Sequence, residues 1–255
     1  MKYPVEIQPC ERIDDLQING LRLIQNPTQF CFGVDAVLLA HYASQTIKPK
    51  AEVLDLCSGN GIVPILLTAK SKAGHITGLE LQSEVAAMAK RSIALNDLQE
   101  RISMVCENVK NAVTVLGKGL FDHITCNPPY KEAGGGIINS ADAVTIARHE
   151  IYCTLEDIIE ASALLLKPTG KLCMVHRPER LVDILTYMRK YRIEPKRLRF
   201  VHPSPYKTAN MVLIEGTKHG KAKMFLDPPL YIYEEKGQYS EEIDEIYCRK
   251  RGNEQ

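Results

Sequence analysis

Ala51-Glu52-Val53-Leu54-Asp55-Leu56-Cys57-Ser58-Gly59-Asn60-Gly61 is the stretch that decides how this chain folds. Its apolar first half reads as a buried strand. Its two glycines form a tight turn, and residues 61–71 continue as a helix with Pro64 in the first turn, where a missing N–H costs little. Glycine lets a backbone approach a ligand closely, and the start of a helix offers unpaired N–H groups. Many strand–turn–helix units share this pattern, so the loop alone is a weak sign of nucleotide binding.

The next segment strengthens it. Residues 75–81 read as a second strand with Glu80 near its end, 19 positions past Gly61. A carboxylate there can accept both hydroxyls of a ribose. Taken alone, Glu80 is equally a surface acid; in register with the glycine turn it points to an adenosine-containing cofactor. A dinucleotide is disfavoured, because Pro64 stands where the third glycine of that fingerprint belongs. Asp55 would also repel a pyrophosphate and favour a cationic ligand bearing an amino group.

Outward from this pair, strands and helices alternate. Strand-like runs at 102–108, 121–127 and 171–177 are interleaved with helical spacing at 34–47, 83–98, 154–166 and 179–191. Ser83 is expected to cap its helix, and Lys167-Pro168-Thr169-Gly170 to close the helix before it. Runs at 196–203 and 209–218 have no helix between them and are expected to pair antiparallel. Asn19-Gly20 signals a hairpin within residues 16–25. These elements predict an α/β, Rossmann-like fold: a mostly parallel seven-stranded sheet with a reversed last strand, flanked by helices. The expected organisation is a hairpin extension over 1–30, a main domain over 31–220, and a tail over 221–255 with one short strand and one short helix.

The chain has 255 residues, 45% hydrophobic and 25% charged, an ordinary globular balance that excludes a disordered or fibrous protein. No apolar run is long enough to cross a bilayer, and the start lacks the apolar core of a signal peptide. A cytoplasmic protein is expected. Its eight cysteines form no Cys-x-x-Cys pair, which predicts reduced, mostly buried thiols and no metal site. The net charge of +1 hides a division. Residues 189–223 carry ten Lys/Arg against Glu194 and Glu215, whereas residues 224–255 carry eight acids and four bases. The basic stretch is a candidate phosphate-facing surface or, equally, a solvated face. Nothing indicates an oligomeric state.

The most specific motif ends the fourth strand of the series: Asn127-Pro128-Pro129-Tyr130, which resembles motif IV of methyltransferases acting on exocyclic or amide nitrogens such as adenine N6. An adenine N6 lone pair is delocalised into the ring and is a poor nucleophile. Two acceptors on its hydrogens, the Asn127 side-chain oxygen and the Pro128 carbonyl, favour a more localised lone pair. The prolines fix the direction of that carbonyl. Tyr130 offers an aromatic face to an unstacked base. Transfer needs no strong base, so orientation carries much of the chemistry. The plainer reading is that two prolines merely stop a strand.

Asp55-x-Cys57-x-Gly59-x-Gly61 resembles motif I of class I S-adenosylmethionine (SAM) methyltransferases, with Cys57 in the place of the first glycine and an expected φ below zero there. Asn127-Pro128-Pro129-Tyr130 resembles their motif IV. With Phe30-Cys31-Phe32-Gly33-Val34-Asp35-Ala36-Val37-Leu38-Leu39 and Ala147-Arg148-His149-Glu150, roughly residues 15–235 resemble the bacterial tRNA1(Val) adenine-37 N6-methyltransferases. That resemblance implies a class I methyltransferase fold, SAM as cofactor, a tRNA anticodon-loop substrate and methyl transfer to adenine N6. It places Phe32 and Asp35 in the cofactor pocket, although Asp35 also reads as a helix cap. It puts Glu107 and Asn108, at the end of the third strand, near the cofactor adenine.

Other readings share the same motif. A protein glutamine-N5 methyltransferase acts on an equally delocalised nitrogen, but such enzymes carry a helical N-terminal domain for which residues 1–30 leave no room. A ribosomal guanine-N2 methyltransferase has a related motif IV. A DNA adenine enzyme generally needs a target-recognition domain. A non-catalytic RNA-binding module would have little reason to keep Glu80, Asn127 and Tyr130 together.

Overall fold

The computed structural model describes residues 5–28, 31–128, 153–234 and 237–249. The β-rich apolar runs assemble into one nine-stranded sheet. Its parallel part comprises β3 (Glu52–Leu56), β4 (His75–Glu80), β5 (Ile102–Cys106), β6 (Phe121–Cys126) and β7 (Leu166–His176). Two long strands follow, β8 (Ile193–His202) and β9 (Met211–Lys218), and β9 runs antiparallel to both β7 and β8. The order β8-β9-β7-β6-β3-β4-β5 is the expected sheet with its reversed last strand. Two short tail strands extend it: β10 (Phe225–Leu226) and β11 (Leu230–Tyr231) both add to β8. The hairpin β1 (Arg12–Asp15) and β2 (Arg22–Gln25) pairs separately.

Helices cover both faces of the sheet. Helices α1 (Val34–Ser44), α2 (Ile62–Lys70) and α3 (Ser83–Leu95) share one apolar core with the hairpin. On the other face pack α4 (Ala112–Leu116), α5 (Leu155–Leu165) and α6 (Leu181–Lys190). The tail helix α7 (Glu241–Ile246) buries Ile243 and Ile246 in the first core. Among the described residues no helix is long and apolar enough to cross a membrane.

Local physics adjusts several expectations. Helix α5 starts with a capping box between Thr154 and Asp157, but Lys167-Pro168-Thr169-Gly170 is no separate loop. Lys167, preceding a proline, is disfavoured from helical backbone, and β7 begins at Leu166, with a register shift opposite Phe121/His123. Ser83 is the first helical residue rather than the cap; Gln82 holds the cap position, its N–H bound by Glu80 Oε1 at 2.9 Å. The thiols are also less buried than expected: only Cys126 and Cys173 are buried, while Cys10, Cys106 and Cys248 are exposed. Cys106 ends β5, the edge strand, where one side faces water.

Candidate active site

Every parallel strand ends on the same rim, and the candidate residues gather there. The 57–61 turn is held by Ser58 N–H on Leu79 O (3.0 Å) and Gly61 N–H on Ser58 O (3.0 Å). Gly59 and Gly61 have φ of 56° and 83°. So does the residue expected to differ: Cys57 has φ 57°, a left-handed conformation costing a non-glycine residue about 1–2 kcal/mol. The turn imposes that conformation whatever the side chain. Cys57 is half-buried and packs against the core that contains Cys126.

Glu80 closes the turn from the next strand. Its Oε2 accepts from Gly59 N–H and its Oε1 from Gln82 N–H, both at 2.9 Å. Each oxygen keeps a lone pair for a ligand hydroxyl. Asp55 lies beneath the turn rather than in its mouth, 1% exposed, with Thr125 Oγ1 donating to it at 2.6 Å. Burial raises its pKa to about 7, against the pull of the Thr125 hydroxyl. No hydrogen-bonded cation accompanies it among the described residues, so a ligand cation above the turn would favour its ionised form across a low-dielectric gap.

Asn127 follows directly on β6, half-buried, with Pro128 buried beside it. Its Nδ2 donates to Asp35 Oδ2 at 3.1 Å. Committing the NH2 group to that carboxylate orients the amide and leaves Asn127 Oδ1 as the available acceptor. Asp35 is therefore not the cap of α1. Gly33 holds that position without a side-chain bond, and Asp35 Oδ1 instead accepts from Ala36 N–H at 2.9 Å. Pro129, Tyr130 and Ala147-Arg148-His149-Glu150 lie outside the described residues.

The end of β5 is used locally. Glu107 accepts from Asn108 N–H (2.7 Å) and from the Asn111 amide (3.1 Å), which hold its pKa below the usual carboxylate range. Asn108 Oδ1 caps its own turn by accepting from Lys110 N–H at 2.9 Å. Both stand beside Glu80, whose carbonyl accepts from Glu107 N–H at 3.0 Å.

One residue of this cluster escaped the sequence reading. Gln25, on β2 and 2% exposed, accepts from Phe32 N–H at 3.0 Å and from the Asn60 amide at 3.4 Å, while its own amide donates to Asp14. It ties the hairpin to both the 57–61 turn and the segment leading to Asp35. Only its place at the end of an amphipathic strand hinted at this.

The basic stretch, by contrast, is divided. Ile193 faces Lys218 and Val201 faces Met211 in the β8–β9 register. Arg192, Lys218 and Lys221 therefore lie toward the end of the sheet opposite the rim. Arg197 and Arg199 are bound by tail acids, Asp227 at 2.8 Å and Glu242 at 2.6 Å. Residues 189–223 do not form one phosphate-facing surface.

A family model described as methyltransferase small domain matches residues 33–190, most of the chain and nearly all of this rim. The chain belongs to the methyltransferase small domain family. Among similar curated proteins is the tRNA1(Val) (adenine(37)-N6)-methyltransferase of Porphyromonas gingivalis, 28% identical over 190 residues and 72% of each chain. The protein of that name from Aeromonas hydrophila is 30% identical over 183 residues, covering 71% of this chain and 74% of its own. Among solved structures, a predicted O-methyltransferase from Agrobacterium tumefaciens superposes with a TM-score of 0.68 at 23% identity, over 84% of this chain and 95% of that one. Pyrococcus horikoshii TYW2, in complex with MeSAdo, gives 0.60 at 12% identity, over 84% and 73%. At these identities the solved structures establish a class I methyltransferase fold for this family member.

Proposed function

We propose that this protein transfers a methyl group from SAM to the exocyclic N6 of an adenine in the anticodon loop of a tRNA, its relatives being named for adenine 37 of tRNA1(Val). The observation that carries the reading is the Asp35–Asn127 hydrogen bond. It holds an acceptor oxygen at the end of β6, on the rim that also carries Glu80 and the 57–61 turn, groups suited to an adenosine-type ligand. SAM, when bound, supplies an electrophilic methyl on a sulfonium.

The chain's own residues do the rest. Glu80 and the Gly59 region hold the ribose end; Phe32, Asp35, Cys57 and Gly61 line the pocket, and Asp55 contributes negative charge beneath it. Glu107 and Asn108 border the cofactor adenine. Asn127 Oδ1 and the Pro128 carbonyl accept from the acceptor amine and sharpen its lone pair, and Tyr130 stacks on the base. Orientation, rather than proton abstraction, is the main contribution. A tRNA substrate implies reaction in the cytoplasm, and RNA contact falls to those cations that reach this rim.

The test offers tritiated SAM with tRNA, bulk protein and DNA in separate reactions, followed by nucleoside analysis. Label is expected in tRNA as N6-methyladenosine; label in protein alone, or as N2-methylguanosine, contradicts the reading. Asn127→Ala is expected to lower turnover by about 100–1000-fold, the scale for losing one preorganised polar contact to a reacting group, with SAM affinity changed less than about threefold.

A further inference from the structure

The loop joining β8 to β9 carries the most exposed large apolar side chain of the described residues, Tyr206, at 84% of its surface. Strand polarity puts this loop on the active-site rim. His176, at the end of β7, pairs with Val212 at the start of β9, and β8 ends opposite Met211. Across the sheet, β9 and β8 stand two and three positions from β6, roughly 10–14 Å from Asn127 at ordinary strand spacing. At that strand spacing the loop suits contact with a base neighbouring the acceptor base.

The loop is built rather than slack. Lys207 N–H donates to Ser204 O at 3.1 Å, His202 Nδ1 to Lys207 O at 2.8 Å, and Asn210 N–H to Val201 O at 3.0 Å. Arg177, at the end of β7, braces it by donating to Asn210 O at 3.1 Å. Lys207 is exposed beside Tyr206. Other cations of the basic stretch are bound to acids, as Lys190 is to Glu156 and Arg197 to Asp227, or lie at the far end. On the same rim Arg180 is paired with Asp183 at 2.7 Å. An aromatic face next to a cation is the combination that takes single-stranded nucleic acid, the ring stacking on a base and the charge on a phosphate.

We propose that the loop 203–210 is an RNA-contacting element, in which Tyr206 stacks on a base flanking the acceptor adenine while Lys207 contacts the adjoining backbone. This rests on the RNA-methyltransferase reading above. The test measures binding of unmodified tRNA by the full chain across a salt series, separately from methylation. Tyr206→Ala is expected to weaken binding about tenfold, within the range for losing one stacked base, and Tyr206→Phe to stay within about twofold. Lys207→Ala is expected to flatten the slope of log affinity against log salt by about 0.7. Lys221→Ala, at the opposite end, is expected to leave both unchanged. SAM affinity and thermal stability serve as folding controls. Unchanged tRNA binding in Tyr206→Ala and Lys207→Ala, with wild-type protein binding tRNA normally, overturns the loop's role and leaves the RNA reading standing. Wild-type protein that binds no tRNA and methylates a protein overturns both.

Discussion

Two buried carboxylates in this sheet meet opposite fates. Glu215, in the middle of β9, is fully buried but accepts from Lys171 Nζ at 2.8 Å and from the Thr46 hydroxyl, with His123 Nε2 at 3.9 Å. Burial alone would raise its pKa; the nearby His123 ring and the bonds from Lys171 and Thr46 together outweigh that and hold it at about 2. Asp55, on β3 beneath the glycine turn, is as deeply buried but has a neutral hydroxyl for company, and its pKa rises to about 7. The acid with its cation belongs to the fold. The acid without one is a cost to the fold, kept at the end of the sheet where a cationic ligand is expected.

The same chemical change at the two positions should therefore act in opposite directions. Glu215→Gln removes the charge that compensates Lys171. Breaking a fully buried pair costs about 3–5 kcal/mol; Lys171 keeps 30% of its side-chain surface, so about 2–3 kcal/mol is expected, with SAM affinity intact. Asp55→Asn keeps the Thr125 contact and removes an unpaired buried acid. It should raise neutral-pH stability by about 1 kcal/mol or more, or roughly 2–4 °C per kcal/mol in Tm, while weakening SAM about tenfold. Thermal melts and calorimetry on both variants check this; matching losses of stability would erase the contrast. The pH signs differ too. Glu215 stabilises above its unfolded pKa of about 4.3, and that stabilisation is lost as pH falls toward about 2. Asp55 takes up a proton on folding, so its contribution is most favourable below about pH 4 and declines as pH rises to about 7.

A smaller effect sharpens the functional side of the comparison. Gln25→Leu unlinks the hairpin from Phe32 and Asn60. SAM affinity is expected to fall about fivefold, the scale of one or two neutral hydrogen bonds, with kcat little changed. A fall in kcat with normal affinity would place Gln25 with the acceptor rather than the cofactor. Smallest of all, Cys57→Gly relieves a positive φ worth about 1–2 kcal/mol but loses thiol packing and adds unfolded-state entropy. A net gain of under about 1 kcal/mol in chemical denaturation is expected.

Much of this rim was legible in the chain because its signals are local. A carboxylate at the end of an apolar run, glycines two apart and Asn-Pro-Pro after a strand each occupy a few consecutive residues, and the alternation of runs orders the strands. What escaped depends on contacts distant in sequence. The Asp35–Asn127 bond spans 92 positions and the Gln25–Asn60 bond 35, and no periodicity reports such pairs. The basic stretch looked continuous because composition cannot show that two antiparallel strands carry its charges to opposite ends. Cys57 looked incompatible with a left-handed turn because its own preference is the only local evidence; the turn's hydrogen bonds override it.

The central claim is that a cation settles above the buried, uncompensated Asp55, and SAM calorimetry between about pH 5.5 and 7 tests it most directly, below the titration of an ordinary α-amino group. Wild-type affinity should tighten as pH rises through this range, with protons released on binding and detected as a dependence on buffer ionisation enthalpy. Asp55→Asn should flatten both. Affinity independent of pH with no proton release, or an identical profile in Asp55→Asn, would contradict the account.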